Sequence, residues 1–297
     1  MSDDRPAATQ HISPKVPKDG PMHKSLPPGA ASCPSISGQT IAADPIALAR
    51  RDLKRSLPKR FYKNATAQEK DGAYILLLDG RAAKTPAGRR LALPSLAAAE
   101  MLAEEWSAQG EWIDPALMPI TRMANSAIDR VAGEFDATAG EIAKYAGTDL
   151  VCYRAAGPGN LVALQAAAWD PVLAFAREKL GAEFLCTEGV VFVEQPHAAL
   201  AAVAFAVRNI AGNGKAAPFA LAALQVMTAL AGSVLIALAV AHGEMTPAGA
   251  WSAAHVDEDY EMNAWGEDTG ALQRRTRQWL EMEAAARLFE AVHAAGM

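Results

Sequence analysis

Cysteine is scarce in this chain: Cys33, Cys152 and Cys186 are the only three in 297 residues, they stand far apart, and they form no Cys-x-x-Cys pair. An odd, scattered set argues against a disulfide framework or a thiolate metal site. It reads instead as small core thiols in a reducing compartment. Excess positive charge is missing too. With 28 Lys and Arg against 33 Asp and Glu, the net charge is -5, which supplies no general basic field for nucleic acid or anionic lipid. The six histidines are isolated, with no His-Glu-x-x-His or other metal-ligand spacing. Gly157-Pro158-Gly159 and Gly212-Asn213-Gly214 lack the preceding strand and following Lys-Ser/Thr of a phosphate loop. Ser233 follows Gly232 inside an apolar run without a Gly-x-Ser-x-Gly turn, so it is a poor nucleophile. No continuous apolar stretch near the start marks a secretory signal. Asp3, Asp4 and an early excess of Lys over Arg depart from an Arg-rich, acid-poor presequence.

What the chain does have is apolar material, 51% of its residues, enough for one large or two ordinary domains. Residues 219–241, FALAALQVMTALAGSVLIALAVA, contain no charge and predict one helix, entered at Pro218 and ended by His242-Gly243. Its length would allow a membrane span. Its Ala-rich composition, the polar interruptions Gln225, Thr228, Gly232 and Ser233, and the lack of an aromatic belt or basic cluster favour a buried core helix. No membrane insertion is expected.

The rest falls into order around that helix. Residues 1–57 are rich in Pro, Ser, Gly and Lys without apolar periodicity, and predict a disordered leader. Within it, residues 46–57 carry Arg50, Arg51, Lys54 and Arg55 on a short basic stretch that reads as a solvated face. Residues 73–78 (AYILLL) predict a strand, and Asp79-Gly80 a two-residue hairpin turn into residues 81–85. Thr85-Pro86-Ala87-Gly88 is a second turn, before a short strand over 89–93. Ser95 is placed to cap a covering helix to about Gln109, with Leu96, Ala99, Leu102 and Trp106 on one face. Residues 112–131 read as an extended connector entering a helix. Beyond Glu134 the pattern is helical, over 134–146, 160–179, 196–210, 219–241, 247–265 and 271–294, broken by a β-branched, extended piece at 188–194 (EGVVFVE). The fold class is therefore α+β: a small antiparallel β-rich part over 58–132, then a mainly α-helical, orthogonal bundle-like part over 133–297.

One polar constellation is dense, residues 255–268 (HVDEDYEMNAWGED). On a helix Asp257 and Glu261 share a face, and Glu258 lies on the next with Met262. These carboxylates suit a general acid/base pair, hard-cation ligands, a docking patch or a plain solvated face; the spacing is not that of a calcium loop. Trp251, Tyr260 and Trp265 lie alongside, and aromatics beside charge are common in binding surfaces. Two further groupings are similar: Glu104-Glu105-Trp106, and Tyr145, Asp149, Tyr153 and Arg154 ahead of Trp169-Asp170. For Trp106 and Trp169 the plain account is a core ring with its polar tip hydrogen-bonded.

Taken together, RFYK (60–63), LDGRAAKTPAG (78–88), AEEWSAQGEWIDP (103–115), MPITRMANSAIDR (118–130), YAGTDLVCYRA (145–155), LQAAAWDPVL (164–173) and DEDYEMNAWGED (257–268) resemble the assembly chaperones that handle the α subunit of the F1 sector of ATP synthase. The mitochondrial members are called ATP synthase F1 assembly factor 2. The resemblance spans residues 60–292. It implies a β-rich first domain, a helical second domain, no enzymatic activity and no cofactor. It also implies a partner, the free F1 α subunit, whose β-facing surface would be shielded until assembly, in a bacterial cytoplasm or a mitochondrial matrix. Glu258 matches an acidic position the family needs, and Trp265-Gly266 its Trp-Gly pair, whereas Glu261 stands where relatives commonly carry Gln. The partner-binding residues expected are Glu258, Asp257, Glu261, Trp265, Trp106, Asp149 and Trp169.

Overall fold

The computed structural model describes residues 57–266 and 269–294. The expected leader, except Leu57, and the acidic pair Glu267 and Asp268 lie outside the described residues. All described residues belong to one compact unit, Arg50–Met297.

A small antiparallel sheet opens the unit. Strand β1 (Ala65–Lys70) pairs along its whole length with β2 (Ala73–Leu78), from Ala65 opposite Leu78 to Lys70 opposite Ala73. On the other edge of β2, β3 (Arg81–Ala82) lies against Leu77 and Leu78, and β4 (Ala92–Leu93) against Tyr74 and Ile75. Both tight turns use Asp-Gly in the left-handed region: Asp71 and Gly72 at φ 56° and 70°, Asp79 and Gly80 at 47° and 80°. That geometry matches the right-handed twist of a hairpin. The Thr85–Gly88 turn also forms, closed by Gly88 N–H donating to Thr85 O at 2.8 Å. Helix α1 (Leu96–Ser107) covers β1, β2 and β4, and Ser95 caps it by accepting from Ala98 N–H at 3.2 Å. Leu76, Leu91, Leu93 and Leu102 are sealed between sheet and helix, each worth about 1.5–3 kcal/mol of burial.

After a 3₁₀ turn (Pro115–Leu117) come α2 (Pro119–Ser126) and a π-helical turn (Ala127–Val131). Then follow α3 (Phe135–Lys144), 3₁₀ turns at Tyr145–Thr148 and Leu150–Cys152, and β5 (Tyr153–Arg154). Next are α4 (Gly159–Leu180), β6 (Thr187–Glu188), which pairs parallel with β5, and α5 (His197–Ala211). The remaining helices are α6 (Ala217–Ala231), α7 (Val234–Ala241), α8 (Pro247–Ala254), α9 (Val256–Trp265) and α10 (Thr269–His293). One hydrophobic cluster runs from Tyr62 to Val292, across the boundary expected near residue 132. At its centre α6 and α7 are almost wholly buried, and α6 packs most extensively against α10.

The structure corrects two expectations and adds two features that the sequence did not announce. The uncharged stretch 219–241 is two helices: Gly232 turns left-handed at φ 62° to end α6, and Ser233 starts α7 by accepting from Ile236 N–H at 3.0 Å. No helix among the described residues is long and apolar enough to cross a membrane. The helix expected over 247–265 also breaks, at His255 (φ -118°, ψ 21°), giving α8 and α9. Strand β1 carries no apolar alternation in ATAQEK, because as an edge strand it exposes most of its side chains. Of EGVVFVE only Glu188 joins a strand, and Val190, Val191 and Phe192 are 99%, 67% and 64% exposed.

Candidate functional site

Most of the motif residues tie elements together. The Asp79 carboxylate accepts from the N–H groups of Lys63 and Asn64 at 2.8–3.1 Å, and these bonds hold it below the ordinary carboxylate range. The Arg60 guanidinium donates to the carbonyls of Tyr62, Lys63, Ser107 and Gln109, fastening the first described segment to the end of α1. Asp129, in the π turn, accepts from Thr85 Oγ1 at 2.7 Å and Ala87 N–H at 3.0 Å, which locks the hairpin turn onto α2.

Glu105 and Trp106 do the same between α1 and α2. Glu105 accepts from Ile120 N–H, Thr121 N–H and Thr121 Oγ1 at 2.6–2.8 Å, so it caps a helix from outside it. Burial outweighs those bonds and raises its pKa. Trp106 Nε1 donates to the same Thr121 hydroxyl at 3.1 Å. Trp169 is 1% exposed, donates from Nε1 to Ala253 O at 2.7 Å, and lies under the Arg154 guanidinium.

Asp149 is fully buried. Its oxygens accept from Val151 N–H at 3.3 Å and Leu235 N–H at 3.2 Å, while Leu150 N–H donates to Gly232 O. The aspartate therefore pins the break between α6 and α7. Desolvation lifts its pKa to about 6, with the Ser233 hydroxyl and the surrounding amides pulling the other way. Asp149 and Trp169 are buried and Trp106 is half-buried, and both tryptophans have the hydrogen-bonded tips of the plain account.

The exposed part of the set is α9 and its junction with α10. Three acids crowd the first turn of α9, where the helix dipole favours them. They diverge from there. Asp257 accepts from the buried amide of Gln165 at 2.7 Å, and Asp259 is ion-paired with Arg275 of α10. The Glu258 carboxylate stays 66% exposed, 4.0 Å from Nε2 of His255, whose Nδ1 lies 2.7 Å from Trp251 O. Glu261 is exposed, and among the described residues it makes no ion pair. Trp265, at the end of α9, is 89% exposed. Glu258, Glu261, Met262 and Trp265 face Arg274 and Gln278 across a cleft of about 370 Å³.

The acids thus do not converge on one point, as an acid/base pair or a cation site would require. Among the described residues no group of three or more His, Cys, Asp or Glu is placed to hold a metal. The corner instead offers a flat indole and exposed carboxylates to a macromolecular surface.

Comparison with known proteins agrees with the series of motifs. Residues 59–177 match the family model of the ATP12 chaperone protein. A protein from Agrobacterium tumefaciens, described as a candidate chaperone, has 43% identity over 84% of this chain and 92% of its own, with a TM-score of 0.75. Atp12 from Paracoccus denitrificans is 36% identical over 79% of this chain and 98% of its own, with a TM-score of 0.71. A charge-reversal mutant of the Paracoccus protein gives a TM-score of 0.70 at the same identity. With motifs, order of elements and fold in agreement over most of its length, the chain belongs to the ATP12 chaperone family.

Proposed function

We propose that this protein is an assembly chaperone that binds the free α subunit of the F1-ATPase and shields its β-facing surface until F1 forms. The observation that carries the reading is the corner at the end of α9, where Trp265 stands in solvent beside Glu258 and Glu261. A large exposed aromatic ring is unfavourable in water and common at the centre of protein interfaces. Exposed carboxylates around it favour a partner surface carrying Arg or Lys and disfavour self-association. A lone α subunit would expose the apolar surface that β later covers, and reversible occupation of that surface prevents aggregation. The partner-contact set on this reading is Glu258, Glu261, Trp265 and the edge of α9 that Asp257 holds in place. The protein would act where F1 assembles, in a bacterial cytoplasm or a mitochondrial matrix.

The test is co-purification of the chain with the F1 α subunit of its own organism, with β as control. Retention of α over β is expected, and Glu258→Lys should lower it while leaving the melting midpoint unchanged. Equal recovery of α and β would overturn the reading.

A further inference from the structure

The segment between α4 and α5 displays a second exposed apolar feature, far from α9 in sequence. Its base is fixed. The Gln195 side chain is buried and grips both polar groups of Leu185, accepting from its N–H at 2.9 Å and donating to its carbonyl at 2.8 Å. Tyr153 and Arg154 of β5 pair with Thr187 and Glu188 of β6, and Gly189 N–H donates to Arg154 O at 2.8 Å. From that base Val190, Val191 and Phe192 project into water, the first of them 99% exposed. Among the described residues, none of the backbone N–H groups of 190–193 donates an intramolecular hydrogen bond.

Three adjacent apolar side chains left in solvent stand on a clamped base, so only the tip itself remains to be ordered on binding. The charges around them indicate what they fit. Residues 181–207 contain Glu183, Glu188 and Glu194 and no Lys or Arg. All three glutamates are exposed, and none has an ion-pair partner among the described residues. That acidic collar would be repelled by an anionic membrane and by a second copy of itself, and attracted by a basic border.

We propose that this loop is a second client-docking element, its Val190-Val191-Phe192 tip entering an apolar pocket bordered by Lys or Arg on the partner protein, with Glu188 and Glu194 pairing to that border. The inference rests on the reading of the protein as an α-subunit chaperone, and it adds a contact site separate from the α9 corner.

The experiment measures capture of purified F1 α subunit by the full chain, by a Val191→Ser/Phe192→Ser variant and by a Glu188→Lys/Glu194→Lys variant, with Glu258→Lys run alongside. Both loop variants alter exposed side chains, so their melting midpoints should match wild type. Each should weaken capture about tenfold or more, as loss of a central aromatic contact or reversal of a paired charge does. If wild type captures α and the loop variants capture it equally well, the loop inference fails and the client reading stands. If wild type captures no α, both fail together. Sedimentation that shows a wild-type dimer abolished by Val191→Ser/Phe192→Ser, or flotation of wild type with anionic vesicles, would also overturn the proposal by giving the tip another occupant.

Discussion

Trp169 and Trp265 each sit beside acids in the sequence, yet one is sealed in the core and the other stands in water. The difference comes from what each ring can reach. Trp169 faces inward from the middle of α4, where the Ala253 carbonyl waits for its N–H and Arg154 covers its face. Trp265 ends α9, and the chain turns away at Gly266 (φ 90°), so no element covers it among the described residues. The acids divide the same way: Asp149 holds backbone amides together inside, whereas Glu258 and Glu261 hold nothing that the fold needs. An acid beside a tryptophan thus says little until the number of elements packed over it is known.

Five substitutions would break or sharpen that contrast. Trp169→Ala should be the most damaging, lowering unfolding free energy by about 3–5 kcal/mol in a denaturant titration, because a buried ring leaves a cavity and the Ala253 carbonyl loses its donor. Asp149→Ala should follow, since the N–H groups of Val151 and Leu235 would be buried without partners at roughly 1–3 kcal/mol each.

Asp149→Asn removes the charge and keeps the shape, at the cost of setting its NH2 against one of the two N–H groups, a cost that does not change with pH. The folded-state pKa of about 6 lies above the unfolded value, so the folded chain holds this proton more tightly. The resulting stability is fully present below about pH 4 and is lost as pH rises through about 6. Wild type minus Asn variant, melted across that window, should show this loss; a flat difference would mean that the site is not desolvated.

Gly232→Ala should cost about 1–2 kcal/mol, the penalty of a side chain in the left-handed region, detectable as a lower melting midpoint. Trp265→Ala should change stability by no more than about 0.5 kcal/mol and yet reduce capture of the α subunit. A large stability loss from Trp265→Ala would erase the contrast between inside and outside.

Local signals explain how much of this was legible. Strand β2 is visible as a short apolar run bounded by turn residues, Asp79-Gly80 demands a tight turn, and Ser95 stands where a cap belongs. Strand β1 escapes notice because Gln68, Glu69 and Lys70 face solvent at a sheet edge, although Asp71-Gly72 marks its turn as clearly as Asp79-Gly80 does. Hydropathy runs straight through Gly232-Ser233; the break is visible only as a C-terminal glycine abutting a capping serine. For the site, the acidic character of α9 is plain in the sequence, but the splitting of its acids among Gln165, His255 and Arg275 depends on α4 and α10 docking from far along the chain. The exposure of Val190, Val191 and Phe192 was the least legible feature, since β-branched apolar residues ordinarily mean burial.

The packing of α10 against α6 also sets an order of events at the ribosome. Met282, Ala285, Leu288, Phe289 and Val292 complete the cover over the central helix pair, and they are synthesised some fifty residues after it. Until they emerge, the uncharged face of α6 has no lid. The core of this protein can close only after translation has passed Val292, so each newly made copy passes through an interval with its own sticky surface uncovered.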